Sequence, residues 1–320
     1  MSDANDTTAT ATTHRSGFVG VLGRPNVGKS TLVNKIVGEE VAIATPKPQT
    51  TRDRIRGIRT FDDWQVTFVD TPGIHEPRTR LNRYMVNLAF ATIRETDLCY
   101  ILIDCPKALD RHDQTMNQTA QIMSSVKETL KPCFLLPNKI DEVKDKSRLL
   151  GMIEKLSSLH DFEEIVPISA RKGDGIDTLL KLTRARLPVG PPLYDADTFT
   201  DRPMRFLAAE MIREQVFMQL GQELPYNAAV HILDWKERPN GMVALHANIH
   251  VASKSHKPIV VGAGASRIKS IGQKARRRLE HFLQRKVYLD LRVKVDEGWL
   301  DKPSALRELG YTEIEIDETS

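Results

Sequence analysis

The segment GRPNVGKST, residues 23–31, most constrains the fold, because a glycine-rich turn there separates the apolar run FVGVL from a helical pattern. Gly23, Gly28, Lys29 and Ser30 match the spacing G-x-x-x-x-G-K-[ST], which cradles phosphate oxygens with backbone N–H groups. The helix that follows adds a favourable N-terminal dipole. We therefore predict a strand, a phosphate-binding turn and a helix. The remaining residues of the turn are Arg24, Pro25, Asn26, Val27 and Thr31.

Short apolar runs alternate with helical patterns from residue 18 to residue 187. The predicted strands are 18–22, 53–61, 65–70, 98–104, 133–138 and 164–169, and the predicted helices are 29–37, 80–94, 113–129, 145–159 and 175–187. This order is typical of an α/β domain with a mostly parallel six-stranded sheet between helices. The short link at Asp62 and Asp63 predicts one antiparallel edge pair.

The stretch 188–203 marks a domain boundary, because it contains four prolines and no hydrophobic periodicity. We predict a polar, disordered tail over 1–15, the α/β domain over 16–187 and a linker over 188–203. A smaller α+β domain over 204–312 and a short tail over 313–320 follow. In the smaller domain we expect helices at 204–220, 266–285 and near 303–309, with strands at 226–236, 242–251 and 287–295.

Composition excludes several classes of protein. Of the 320 residues, 40% are hydrophobic and 28% are charged, as in ordinary globular proteins. No apolar run approaches the ~20 residues that span a bilayer, and the polar N-terminus is unlike a signal peptide. Cys99, Cys105 and Cys133 lie in or beside apolar runs without metal-ligand spacing, so we expect buried thiols.

The segment NKID, residues 138–141, ends an apolar strand and indicates which base is recognised. The Asp141 carboxylate can accept two hydrogen bonds from guanine, whereas adenine lacks that donor pair. Asn138 can face the same base edge, and the aliphatic stem of Lys139 can lie along the ring. Ser169 and Ala170 end another strand and supply backbone for the guanine carbonyl. The pattern favours a guanine nucleotide.

Two further segments predict a metal-dependent switch. DTPG, residues 70–73, closes a strand, so Asp70 can hold Mg²⁺ through water and the Gly73 N–H can meet the γ-phosphate. PQTTRDR, residues 48–54, precedes an edge strand. Thr51, with Thr50 as its neighbour, would complete the metal shell begun by Ser30 only when the γ-phosphate is present.

Positive charge is concentrated in the second predicted domain. Residues 251–294 contain 12 Lys and Arg against two acidic residues, although the formal net charge of the chain is only +4. A glycine-rich turn feeding a basic helix can clamp a single-stranded nucleic-acid backbone. The alternative is a solvated basic helix on a packing domain. The candidate contacts are Gly262, Ala263, Gly264, Ala265, Arg267, Lys269, Lys274, Arg277 and Arg278.

The order GRPNVGKS, TTRD, DTPG, NKID and SA resembles the TrmE–Era group of translation-factor-like P-loop GTPases. The later segments ELPYNAAVHI, VYLDLRVKV and GWLDKPSALRELGY resemble the Era family within that group, so the likeness covers residues 16 to 317. It implies a Ras-like GTPase domain and a C-terminal type II KH domain that binds small-subunit (16S) ribosomal RNA near its 3′ end. It also implies a role in small-subunit maturation and a cytoplasmic protein that can associate peripherally with the inner membrane. Nothing in the sequence indicates an obligate protein partner.

Hydrolysis of GTP to GDP is expected to be slow. Ile74 follows DTPG, where many Ras-like enzymes have a glutamine that orients the attacking water. Catalysis should then rest on Lys29, Thr51 and Gly73 through positioning and electrostatics. Relatives in this group have an asparagine at the position of Asn26 that helps to hold K⁺ near the phosphates, which implies a K⁺-stimulated enzyme. The alternative is that Asn26 only stabilises the turn.

Two questions stay open at this stage. The family clamp is G-x-x-G, but Ala265 stands at its second glycine position, so either Gly264 takes that role or RNA binding is weakened. Three rival functions also remain: a GTPase whose second domain binds protein or anionic lipid, a small-molecule P-loop kinase, and a protein with a purely structural nucleotide.

Overall fold

The computed structural model describes residues 14–45, 47, 50–74, 79–110, 112–127, 129–158, 160–221 and 223–311. The predicted C-terminal tail and residues 1–13 of the predicted N-terminal tail lie outside the described residues. Arg15, the last residue of that predicted tail, begins the first strand, three residues before the predicted strand over 18–22.

The first half of the chain folds around a six-stranded sheet in the order β2-β3-β1-β4-β5-β6. β2 is antiparallel to β3, as the two-residue link predicted, and the other pairs are parallel. Every residue of β4 and β5 is buried, because helices cover both faces of these central strands. The strands are β1 (Arg15–Gly23), β2 (Ile55–Thr60), β3 (Trp64–Asp70), β4 (Leu98–Asp104), β5 (Cys133–Asn138) and β6 (Glu164–Ile165).

Two hydrophobic cores form, one on each face of this sheet. Alternation along β4 separates them, since Leu98, Tyr100 and Leu102 enter one core and Ile101 and Ile103 the other. The three cysteines are buried free thiols in or beside the second core, as predicted. The helices are α1 (Lys29–Val37), α2 (Arg80–Glu95), α3 (Cys105–Asp110), α4 (His112–Lys127), α5 (Ser147–Ser157) and α6 (Ile176–Arg186).

The proline-rich stretch 188–203 forms no helix or named strand and packs back along the first sheet. The Gln65 side chain accepts hydrogen bonds from the backbone N–H groups of Leu193 and Tyr194 at 2.8 and 2.9 Å. The backbone N–H of Ile58 donates to the carbonyl of Phe199 at 2.9 Å. These contacts fix the point at which the second half of the chain begins.

The second half places helices on one face of a three-stranded sheet in the order β7-β8-β9. β7 and β8 are antiparallel, whereas β9 runs parallel to β8. Helices α7 and α9 bury Ile212, Ala275 and Leu279 against the sheet residues Leu245 and Ala247. The elements are α7 (Met204–Gln219), β7 (Ala228–Glu237), β8 (Val243–Val251), α8 (His256–Val261), α9 (Ser266–Leu283), β9 (Val287–Val295) and α10 (Pro303–Glu308). Among the described residues, no helix has both the length and the apolarity to cross a bilayer.

Candidate nucleotide site and nucleic-acid interface

The turn between β1 and α1 wraps around the Lys29 side chain. The Lys29 Nζ atom is buried and donates to the carbonyls of Gly23 and Arg24 at 3.1 and 3.0 Å. Burial lowers the pKa of Lys29 to about 8, against the opposing effect of the nearby Asp70 charge. A buried ammonium held by two carbonyls can exchange those acceptors for phosphate oxygens.

Glycines permit this turn because neighbouring groups approach its backbone closely. Gly28 has φ 103°, and a Cβ atom there would lie 2.4 Å from the Asn138 Nδ2 atom. A Cβ atom on Gly73 would lie 2.6 Å from the backbone nitrogen of Pro25. The turn is therefore pressed between the ends of β3 and β5.

Three oxygen-bearing side chains meet beside the turn. Ser30 Oγ donates to Asp70 Oδ2 at 2.7 Å, Thr51 Oγ1 donates to the same atom at 3.1 Å, and the two hydroxyls lie 3.0 Å apart. Burial raises the pKa of Asp70, although Lys29 and both hydroxyls act against that rise. Asp70 Oδ1 is buried and has no hydrogen-bond partner among the described residues. Hard oxygen donors with one unsatisfied carboxylate oxygen are a donor set that fits Mg²⁺.

The predicted base site lies along the same cleft. The amide of Asn138 is used inside the protein, because Nδ2 donates to the Val27 carbonyl at 2.7 Å and Oδ1 accepts from the Ala170 N–H at 3.0 Å. This arrangement makes Asn138 a brace between two loops, and since Asn138 also lines the cavity, its contact with the base edge stays a prediction. Val27 contributes only backbone, since its side chain packs in the core.

Asp141 and Lys139 border that cavity. Although burial opposes the shift, hydrogen bonds from Ser169 at 2.7 Å and Arg171 at 2.9 Å lower the pKa of Asp141. A carboxylate that stays ionised suits the recognition of two N–H donors. Lys139 Nζ donates to the Asn26 carbonyl at 2.8 Å and to Asp104 Oδ2 at 2.6 Å, which leaves its stem along the cavity wall.

The phosphate and base cavities are continuous, because both are lined by Asn26, Gly28 and Thr31. Among the residues that sequence reasoning missed are Arg171, which lines this cleft, and Asp104, which pairs with Lys139. Asp104 could have been found, since it ends β4 as Asn138 ends the neighbouring parallel strand β5. Arg171 directly follows the predicted residues Ser169 and Ala170, but no motif in the sequence indicates a role for it.

The segment that contains Thr51 is docked on the second domain. The buried Arg52 guanidinium donates to the carbonyls of Ala228, Pro225 and Tyr226 at 2.7, 3.2 and 2.8 Å. Arg213 on α7 donates to the Thr50 carbonyl at 2.5 Å. No sequence pattern indicates this contact, whose partners are more than 160 residues apart.

A shallow groove lies between α9 and β9 in the second domain. It is lined by polar groups from one side of α9 and by two leucines of β9. The lining residues are Ile268, Lys269, Gly272, Gln273, Arg276, Leu289 and Leu291. Lys269, a predicted RNA contact, lines this groove. Gly272, Gln273 and Arg276 were not predicted, because nothing in the sequence separates one side of a basic helix from another.

The turn before α9 contains Gly262, Ala263, Gly264 and Ala265, as predicted. Gly264 and Ala265 have φ values of 55° and 60°, so the alanine adopts the left-handed conformation that glycine prefers. The condition under which alanine would be tolerated, a negative φ, is not met. The turn therefore holds Ala265 in a left-handed conformation at a cost in backbone strain.

The lysines and arginines of α9 divide into three sets, the first of which, Lys269 and Arg276, lines the groove. Arg267, Lys274 and Arg277 are exposed and lie outside the groove lining. The prediction for Arg278 needs correction, because its guanidinium pairs with Glu40 at 2.8 Å and Glu214 at 2.9 Å. Arg278 thus joins the two domains, and its charge is already matched by carboxylates.

Comparison with known proteins agrees with both halves of this description. A family model described as 50S ribosome-binding GTPase matches residues 18–139, and a KH domain model matches residues 223–300. Two solved structures each cover 93% of this chain and 99% of their own. One is an Era variant from Aquifex aeolicus bound to GDP and AlF4⁻, 38% identical with a TM-score of 0.87. The other is Era in complex with MgGDPNP and nucleotides 1506–1542 of 16S ribosomal RNA, 37% identical with a TM-score of 0.88.

Relatives of similar length show the family. GTPase Era of Ruminiclostridium cellulolyticum is 43% identical over 298 residues, and GTPase Era of Trichlorobacter lovleyi is 45% identical over 299 residues. Each alignment covers 93% of this chain and 98% of the relative. With this identity along almost the whole length, and with the nucleotide cleft and KH-type domain described above, the chain belongs to the Era family of GTPases.

Proposed function

We propose that this protein is a GTP-hydrolysing switch that binds small-subunit (16S) ribosomal RNA near its 3′ end and acts in small-subunit maturation. One observation carries the coupled part of this proposal. Thr51 bonds to the Asp70 cluster, while its neighbour Arg52 bonds to three carbonyls of the RNA-binding half. Because the two residues are adjacent in the chain, we expect a movement of Thr51 to disturb the contacts of Arg52.

The nucleotide cleft supports GTP as the substrate. Lys29 brings a positive charge to the β- and γ-phosphates, and the backbone of the turn surrounds them. The Gly73 N–H lies at the same end of the cleft and is assigned to the γ-phosphate. Mg²⁺ would be held by Ser30, Thr51 and, through water, Asp70, and would neutralise charge that develops on the phosphate oxygens.

Turnover should be slow because no described side chain replaces the missing glutamine. Ile74 is partly buried against the core, and its N–H donates to the Gly23 carbonyl at 3.2 Å. This residue can position the turn but cannot polarise a water molecule. Catalysis then depends on geometry and on fixed charge.

K⁺ is proposed as an additional positive charge near Asn26. Asn26 has φ 66°, a conformation that asparagine tolerates better than most residues, so the turn alone also accounts for it. Single-turnover hydrolysis in KCl and in NaCl separates these explanations. Equal rates in the two salts would leave Asn26 with its role in the turn only.

The partner RNA is proposed from the family and from the second domain. Era in one solved structure is in complex with nucleotides 1506–1542 of 16S ribosomal RNA. In this chain, a left-handed turn leads into a groove that combines Lys269 and Arg276 with two leucines. Small residues let a phosphate approach, and the apolar floor suits unstacked bases. Family resemblance also supports a cytoplasmic protein with peripheral inner-membrane association, which cell fractionation would test.

Crosslinking to RNA, followed by sequencing of the captured fragments, tests the coupled switch. The chain is loaded with a non-hydrolysable GTP analogue or with GDP, and the Lys29→Ala variant serves as the control that cannot respond to nucleotide. We expect capture of one ribosomal site to depend on the nucleotide in the natural chain only. State-independent capture would refute the coupling, and absence of ribosomal RNA would refute the proposed partner.

A further inference from the structure

A second cavity lies between the two halves of the chain, away from the nucleotide cleft and the groove on α9. It is bounded by the residues that follow Thr51, by the start of α7, by β7 and by the last described residue, Tyr311. Its volume is about 390 Å³, within the roughly 300–1,000 Å³ typical of small-molecule sites. None of the functions discussed above uses this cavity.

Four guanidinium groups line this cavity, from Arg52, Arg202, Arg205 and Arg213. The carboxylates in its lining are those of Asp53 and Glu210, so positive charge is in excess. Two of the four arginines are engaged elsewhere. Arg52 holds the three carbonyls described above, and Arg202 pairs with Asp53 at 2.9 Å.

The other two arginines have donors to spare. Arg213 is buried and binds Glu210 and the Thr50 carbonyl, but its Nη1 atom has no hydrogen-bond partner among the described residues. Leaving a charged donor unsatisfied in a buried position is costly. Arg205, at the mouth, is exposed and forms no ion pair or hydrogen bond within the described part of the chain.

We propose that this interdomain cavity binds an oxyanion, a phosphate or carboxylate group, through the exposed Arg205, with the unsatisfied charge of the buried Arg213 behind it. A planar guanidinium matches the oxygen pairs of both groups, which makes charge-assisted hydrogen bonds with either. Two sources have this chemistry. One is a small phosphorylated molecule, and the other is residues 312–320, which follow Tyr311 at the cavity wall and contain four acidic residues.

Titration of the protein with inorganic phosphate at constant ionic strength tests the site, and isothermal calorimetry measures the binding. The full chain is first saturated with a non-hydrolysable GTP analogue and Mg²⁺, so that the phosphate positions of the nucleotide cleft are filled. We expect saturable binding that Arg205→Ala weakens by about tenfold, as the loss of a charged hydrogen bond predicts. Arg307→Ala, an exposed arginine on α10 outside the cavity, should leave the affinity unchanged.

A full-length variant with a neutral tail distinguishes the two sources. Its substitutions are Glu313→Gln, Glu315→Gln, Asp317→Asn and Glu318→Gln. Equal phosphate affinity in the natural and neutral-tail chains identifies a free anion as the occupant. At least tenfold tighter binding by the neutral-tail chain identifies the tail carboxylates. If Arg205→Ala does not weaken phosphate binding in either chain, or if neither chain binds phosphate, the proposal is wrong.

Discussion

Substitution of Ala265 by glycine should stabilise the second domain. An L-residue in the left-handed conformation costs about 1–2 kcal/mol, and φ 60° places Ala265 there. Glycine relieves this strain but gains about 0.4–1 kcal/mol of conformational freedom in the unfolded chain. The difference predicts that Ala265→Gly raises the free energy of unfolding by about 0.5–1 kcal/mol.

Ala263 provides a matched control in the same turn. It is two residues away and does not have a positive φ, so no strain is released there. Ala263→Gly should therefore lower the free energy of unfolding by about 0.4–1 kcal/mol. The two substitutions are chemically identical and are expected to have opposite signs.

Urea unfolding measured by tryptophan fluorescence checks this pair. Trp235 and Trp299 lie in the second domain, so a Trp64→Phe background removes the tryptophan of the first domain from the signal. The midpoint should move up for Ala265→Gly and down for Ala263→Gly, with an unchanged slope. A shift of both midpoints in the same direction would refute the assignment of strain to Ala265.

The remaining predictions concern the nucleotide cleft and the groove. Because bound phosphates favour the charged form of Lys29, whose pKa is about 8 in the free protein, GTP-analogue affinity should fall above about pH 8, by up to tenfold per pH unit. A flat titration between roughly pH 7 and roughly pH 10 would contradict this. Gly28→Ala should weaken nucleotide binding by about 10–100-fold, because the backbone strain at φ 103° adds to the steric clash of the new Cβ atom with Asn138. Competition binding with a labelled nucleotide measures this loss of affinity. Arg276→Gln should weaken RNA binding and reduce the salt slope by about one, whereas equal loss for the exposed neighbour Arg277→Gln would place the RNA elsewhere.

Hydrophobic patterning predicted most of the regular elements. β4, β5 and β9 have the predicted bounds, because each is an uninterrupted or alternating apolar run with polar ends. Two short helices, α3 and α8, were missed. Each has a proline near its start and only six residues, too few for a helical period to emerge. Predicted helix 113–129 accordingly corresponds to α4 alone.

Motif spacing predicted where the nucleotide cleft lies but not which contacts each side chain makes. Asn138 shows the limit, because its sequence context is the same whether the amide contacts a base or braces two loops. Arg278 shows a second limit. Its partners Glu40 and Glu214 lie far away in sequence, and a basic helix has similar charges on its nucleic-acid and interdomain sides.

The coupling between the nucleotide site and the RNA-binding domain rests on Thr51 and Arg52, which are adjacent in the chain. How far Thr51 moves therefore decides whether the hydrogen bonds of Arg52 persist. The Cα atoms of Thr51 and Arg52 are about 3.8 Å apart, as for any trans peptide, so neither can shift independently by much. Hydrogen bonds fail beyond about 3.5 Å, and those of Arg52 already span 2.7–3.2 Å. A displacement of Thr51 by about 1 Å therefore breaks at least part of the interdomain contact. In this structure Thr51 and Arg52 are both bonded at once, so the docked arrangement is compatible with Thr51 lying beside Ser30 and Asp70. Loss of the γ-phosphate removes the proposed metal contact of Thr51. It should therefore weaken the contact between the two domains.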